Sequence, residues 1–175
     1  DQVLERFPFG MGWYLLPRML ETIKPWSTTA LYDMVLRVPE VMEKARHHRR
    51  AAILLTDGVD NASGISAAEA TEIARSLETP IYVLGVEPPP EPGGEGPSYE
   101  EILTLIADGS GGLYRRIPRA EEMPDVARTL LEELSSRYIL SFNTSGVGAR
   151  KWRPLEVTVD GHETVTRTGY VGTLP

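Results

Sequence analysis

The sequence predicts an α/β fold: a mostly parallel β-sheet with helices on both faces, followed by a C-terminal antiparallel β-hairpin extension. Two observations carry the prediction. Segments with helical spacing of apolar residues alternate four times with short strand-like segments, the order that builds parallel sheets through helical crossovers. After Phe142 the pattern changes: Leu155–Val159 alternates, Asp160-Gly161 is a strong hairpin turn, and Glu163–Thr168 alternates again. With 175 residues the chain is long enough to bury a sizeable core.

The first 26 residues mix aromatics and turn formers, notably Phe7-Pro-Phe-Gly-Met-Gly-Trp13-Tyr14. Leu15–Lys24 reads as a short helix ended by Pro25. From Ala30 to His47, Leu31, Met34, Val35, Val38, Val41, Met42 and Ala45 fall on one helical face. Pro39 lacks the N–H for the bond one turn back, so a kink or a second helix is expected there. Ala51–Thr56 follows, an uninterrupted apolar run of the kind found in strands buried on both faces.

Ser66-Ala-Ala-Glu69 has capping-box spacing and opens a helix with Ala70, Ile73, Ala74 and Leu77 inward. Pro80–Val86 is a second buried-type strand. Pro88–Pro97 is rich in proline and glycine and reads as a loop. Ser98-Tyr-Glu-Glu101 repeats the capping box before a helix through Ile102, Leu103 and Ile106, which Gly111-Gly112 stops. Leu113–Ile117 is read as a strand, Glu121–Ser135 as a helix and Arg137–Phe142 as a strand. A shift in composition at 143–150 divides the chain into a main unit, 1–142, and the hairpin extension, 143–175.

Composition excludes some chemistry. The net charge of −7 argues against a surface for nucleic-acid phosphates. Arg46-His-His-Arg-Arg50 is the one basic cluster and reads as a solvated helix end, where cations suit the dipole. The chain has no cysteine, which excludes disulfide and thiol chemistry and leaves the compartment open. No apolar run reaches the roughly 20 residues of a membrane-spanning helix. His47, His48 and His162 read as surface residues. Gly109-Ser-Gly-Gly112 follows a helix and precedes a strand, the reverse of a phosphate cradle.

The chemistry-bearing stretch is Ile53-Leu-Leu-Thr-Asp57-Gly-Val-Asp60-Asn61. It places carboxylates at the carboxyl end of a strand, where open α/β sheets bind ligands. Asp60 and Asn61 also suit turns, because both residue types bond nearby backbone. Thr29 suits a helix N-cap.

Three segments carry a resemblance. Ser27-Thr-Thr29-Ala-Leu-Tyr-Asp33, the Asp57 strand tip, and Ser135-Ser-Arg-Tyr-Ile-Leu-Ser-Phe142 with Lys151-Trp-Arg153 and Arg167-Thr-Gly-Tyr170 occur in that order. Together they resemble von Willebrand factor type A domains, and among these the subgroup named after acidobacterial proteins. The resemblance implies a Rossmann-like sheet and a non-catalytic role in protein–protein interaction. It also implies a metal-ion-dependent adhesion site for Mg²⁺, or Mn²⁺ or Ca²⁺, with Thr29 and Asp57 among the ligands. A secreted or periplasmic setting and a place in a larger assembly belong to the same expectation. The family's Asp-x-Ser-x-Ser loop is not among the 175 residues; its strand and first helix are expected upstream of Asp1. Asp60, Asn61, Trp13 and Tyr14 are candidate partner contacts. Two other functions stay open: a metal-free accessory subunit, and a metal-assisted hydrolase using Asp57 and Asp60.

Overall fold

A computed structural model describes residues 7–24, 28–89, 96–142 and 151–171. Among these residues the main sheet has three strands, β1 (Ala52–Thr56), β2 (Ile81–Val86) and β3 (Tyr114–Ile117). They are parallel, in the order β1-β2-β3, with Ala52 beside Ile81 and Val83 beside Tyr114. The helices are α1 (Leu16–Thr22), α2 (Leu31–Glu43), α3 (Ala67–Ser76), α4 (Tyr99–Ser110) and α5 (Met123–Ser135).

Alternation along the strands decides what each face meets. Ala52, Leu54, Ile81, Val83 and Tyr114 point to one side, where they pack with Leu31 and Val35 of α2, Ala70 and Ala74 of α3, and Leu103, Ile106 and Ala107 of α4. Tyr82, Leu84, Val86 and Ile117 point to the other, against Met123, Val126, Leu130 and Leu134 of α5. Helices therefore lie on both faces. β2, between two strands, is buried through its first five residues. Each large aliphatic side chain sealed in this way contributes about 1.5–3 kcal/mol.

Both expected capping boxes form. Ser66 and Ser98 accept the amides of Glu69 and Glu101, whose carboxylates take the Ser66 and Ser98 amides in return. Helix α4 ends at Gly111, with φ +84°, a left-handed position that glycine adopts without Cβ strain. The neighbouring Ser110 is buried; its hydroxyl accepts the Ile81 amide at 2.8 Å and donates to the Ala107 carbonyl at 2.8 Å. The glycine-rich segment is thus a packed helix stop at the start of β2.

Several expectations need correction. β1 is not buried on both faces: Ile53 and Leu55 are 51% and 59% exposed. Among the described strands β1 is at the end of the order, and α5 covers β2 and β3, so alternate β1 side chains lie beyond its reach. Arg137–Phe142 forms no strand, since among the described residues no sheet edge pairs with it. Arg137 instead lies over the Tyr82 ring at 5.8 Å, Phe142 meets Tyr170 edge-on at 5.2 Å, and Tyr138 is 90% exposed. Helix α2 runs as one element through Pro39, whose ring sits on the exposed side. It ends at Glu43, so Arg46–Arg50, with His47 and His48, lies past the helix rather than on it.

The tail pairs less than its alternation suggests. β4 (Trp152–Pro154) and β5 (Gly169–Val171) are antiparallel, with Trp152 beside Val171. Between them Val159 and His162 form a single bridge around the Asp160-Gly161 turn. The pair docks on α3: Arg75 lies over the Trp152 ring at 5.9 Å, and Arg167 donates to the Arg75 carbonyl at 3.1 Å. That contact is at the C-terminal end of α3, the end of the molecule away from the carboxyl ends of the strands. The expected loop at 88–97 and the boundary at 143–150 fall wholly or largely outside the described residues.

Candidate functional site

The carboxyl end of β1 leads into a loop, residues 57–64, that meets the start of α2. Helix α2 has no side-chain cap of its own: Ala30 occupies the cap position, so Thr29 is not the N-cap. The first amides of a helix have no intrahelical acceptor and need partners from elsewhere. The loop after β1 supplies them. The Asp60 carboxylate accepts the amides of Leu31 at 2.7 Å and Tyr32 at 3.1 Å. The Ser63 hydroxyl accepts those of Tyr32 at 3.0 Å and Asp33 at 3.1 Å, and donates to Asp60. An anionic group at this position also meets the positive end of the helix dipole.

The bonds run in both directions. The Asp33 carboxylate accepts the Gly64 amide at 3.0 Å. The Thr29 amide donates to the Asn61 side-chain oxygen at 2.7 Å, while the Thr29 carbonyl accepts the amides of Asn61 and Ala62 at 3.1 and 3.2 Å. Both backbone polar groups of Thr29 are therefore tied to the loop after β1, and its side chain belongs to an exposed residue. Asp57 is exposed as well, and its carboxylate takes the Val59 amide at 3.1 Å in a local turn. Gly58, with φ +95°, makes the sharp departure from β1; a Cβ there would stand 3.3 Å from that of Tyr99. Burial, with the Asp60 carboxylate and then Tyr99 nearby, raises the pKa of the Tyr32 phenol above its ordinary value.

The structure thus brings Thr29, Asp57, Asp60 and Asn61 to one end of the sheet and divides their work. Asp60, half-buried, and Asn61, exposed, use side-chain acceptors to hold backbone amides of the neighbouring segment; Thr29 and Asp57 stand exposed. Trp13 lies in a short 3₁₀ turn, Trp13–Leu15, and Tyr14 is 68% exposed there. Ser63 and Asp33 were not singled out from sequence. The signal that finds them is Ala30: a helix that begins on alanine needs foreign acceptors for its first turn.

The donor set decides how a divalent cation fits. Mg²⁺ takes about six oxygens in a near-ideal octahedron. Thr29 and Asp57 offer a hydroxyl and a carboxylate, and among the described residues no group of three or more His, Cys, Asp or Glu converges. These residues by themselves do not fit a tight metal site.

The fold and the loops at its strand ends define a parallel α/β domain with a pre-shaped edge at the carboxyl end of β1. No family model matches the chain. No curated protein matches it either. Among solved structures it is similar to an uncharacterized membrane spanning protein from Vibrio fischeri, at 22% identity over 69% of this chain, with a TM-score of 0.40. This chain covers 65% of that protein's length. It is also similar to the conserved hypothetical protein BatB from Bacteroides thetaiotaomicron, at 18% identity over 71% of this chain and 70% of that one, with a TM-score of 0.49. Likeness at this level concerns the fold and carries no function. No described helix is long and apolar enough to cross a membrane.

Proposed function

We propose that the chain is a non-catalytic protein–protein interaction domain of the von Willebrand A type, which meets its partner at the carboxyl end of β1. One observation supports this above the others: Thr29 and Asp57 are exposed on a tip whose backbone is already held by neighbouring side chains. Such pre-organisation reduces the entropy lost on binding. A hydroxyl and a carboxylate on that tip recognise polar groups directly, or share a hydrated Mg²⁺ with oxygens from outside these residues. Assembly into a larger complex and a secreted or periplasmic setting rest on the sequence resemblance alone.

The cation part is tested with Mn²⁺, followed by paramagnetic broadening of amide signals. Broadening at Thr29, Asp57 and Gly58 that Asp57→Ala abolishes is the expected result. No broadening at those amides, or broadening indifferent to Asp57→Ala, removes the metal from the reading.

A second reading is a metal-free accessory subunit. The exposure of Tyr138, Ile139, Leu140 and Phe142 favours it, because contiguous apolar surface marks contact sites. The two readings differ in one measurement on the isolated complex. A partner held at the tip is lost on Asp57→Ala; one held by the 138–142 segment is lost on Tyr138→Ser with Leu140→Ser and ignores Asp57.

A further inference from the structure

We propose that the loop after β1 and the start of α2 form one interlocked unit in which Asp60, Asn61 and Ser63 are positioning residues, setting Thr29 in place beside the Asp57 tip. The inference deepens the interaction reading and rests on it for its purpose, but its geometry stands without a partner or a cation.

The connections are reciprocal. Asp60 and Ser63, from the loop, hold the amides of Leu31, Tyr32 and Asp33. Asp33, from the helix, holds Gly64 of the loop. Asn61 takes the Thr29 amide with its side chain and, together with Ala62, gives its own amide to the Thr29 carbonyl. Ser63 links the two acceptors by donating to Asp60. These atoms belong to stretches about thirty residues apart in sequence, so no local turn preference makes the contacts. Thr29 cannot move away from the tip without breaking bonds on both sides of its peptide unit. Loss of Asp60 frees the helix start, and with it the geometry that Asn61 and Ala62 recognise.

The unit predicts a shared opening. Helix-start amides ordinarily exchange quickly for lack of an acceptor; here Thr29, Leu31, Tyr32, Asp33, Asn61, Ala62 and Gly64 should exchange slowly and with similar protection. The experiment is amide hydrogen exchange by NMR on the full chain, without metal or partner. Asp60→Ala should lower protection at all seven by about tenfold or more, the scale of losing a charged acceptor. Asp60→Asn, which keeps an acceptor oxygen, should restore most of it, and Asp57→Ala should leave it unchanged. Ser63→Ala gives the same test by a milder route if Asp60→Ala does not fold. Rapid exchange in the unaltered chain overturns the proposal. So does a loss confined to Leu31 and Tyr32, which makes Asp60 a simple cap with no hold on Thr29. Because no cation is present, failure of the metal reading leaves this result untouched, and the reverse also holds.

Discussion

Replacing Ser110 with alanine tests how the end of α4 is joined to the sheet. Ser110 is 1% exposed, and its hydroxyl is the acceptor for the Ile81 amide at 2.8 Å. The donor side of the hydroxyl matters less, because the Ala107 carbonyl also receives the Gly111 and Gly112 amides. The change therefore concentrates on one buried N–H at the head of β2. A buried donor left without a partner costs about 1–3 kcal/mol. Removing a single oxygen leaves too little space for a cavity term to add much, so about 2 kcal/mol is expected. For a chain of this size that is a fall in Tm of about 4–8 °C. Urea unfolding and calorimetry measure it directly. Ser135→Ala is the control: its exposed hydroxyl donates to the Leu131 carbonyl, and its loss should stay within ~0.5 kcal/mol. A Ser110→Ala protein as stable as the control would refute the claim that this hydroxyl satisfies β2.

Other consequences are as open to measurement. Asp60→Ala should cost about 1–2 kcal/mol in urea unfolding, as for a lost helix cap, whereas Asp57→Ala should change stability by no more than ~0.5 kcal/mol; equal effects would contradict the division of work between the two carboxylates. Leu55→Lys should be tolerated within about 1 kcal/mol, since Leu55 is exposed on the end strand, while Leu84→Ala on the adjacent buried strand should cost about 2–5 kcal/mol; unfolding of the Leu55→Lys protein would mean that β1 is covered. Burial raises the Asp108 pKa, so the folded state holds this proton to higher pH than the unfolded chain does. Its contribution to stability is thus fully present below the ordinary aspartate range and declines as pH rises through the raised value. Asp108→Asn should flatten that part of the stability–pH curve, and an unchanged slope would count against the burial.

What could be read from the sequence was what depends on neighbours along the chain. Ser66 and Ser98 sit three residues before glutamates, and both capping boxes formed because the motif is self-contained. Gly111 ends α4 because only local backbone freedom is needed there. The apolar run of β2 and the Tyr114–Ile117 segment of β3 became parallel strands, since alternation with helices leaves that topology. Arg137–Phe142 is not a strand because strand character is completed by a partner edge, and an apolar run does not carry one with it. The exposure of Ile53 and Leu55 on β1 has a similar origin, because a run of apolar residues says nothing about its rank in the strand order.

At the candidate site the boundary between the two kinds of information is sharp. The sequence by itself determined that Asp57, Asp60 and Asn61 lie at the carboxyl end of a strand, and the resemblance added Thr29. Only the tertiary structure decided which of them face outward. Asp60 is turned inward because α2 begins on Ala30 and its first amides require acceptors that the helix cannot provide. That demand is met from a loop some thirty residues away, through hydrogen bonds whose directions exist only once the helix lies over the sheet.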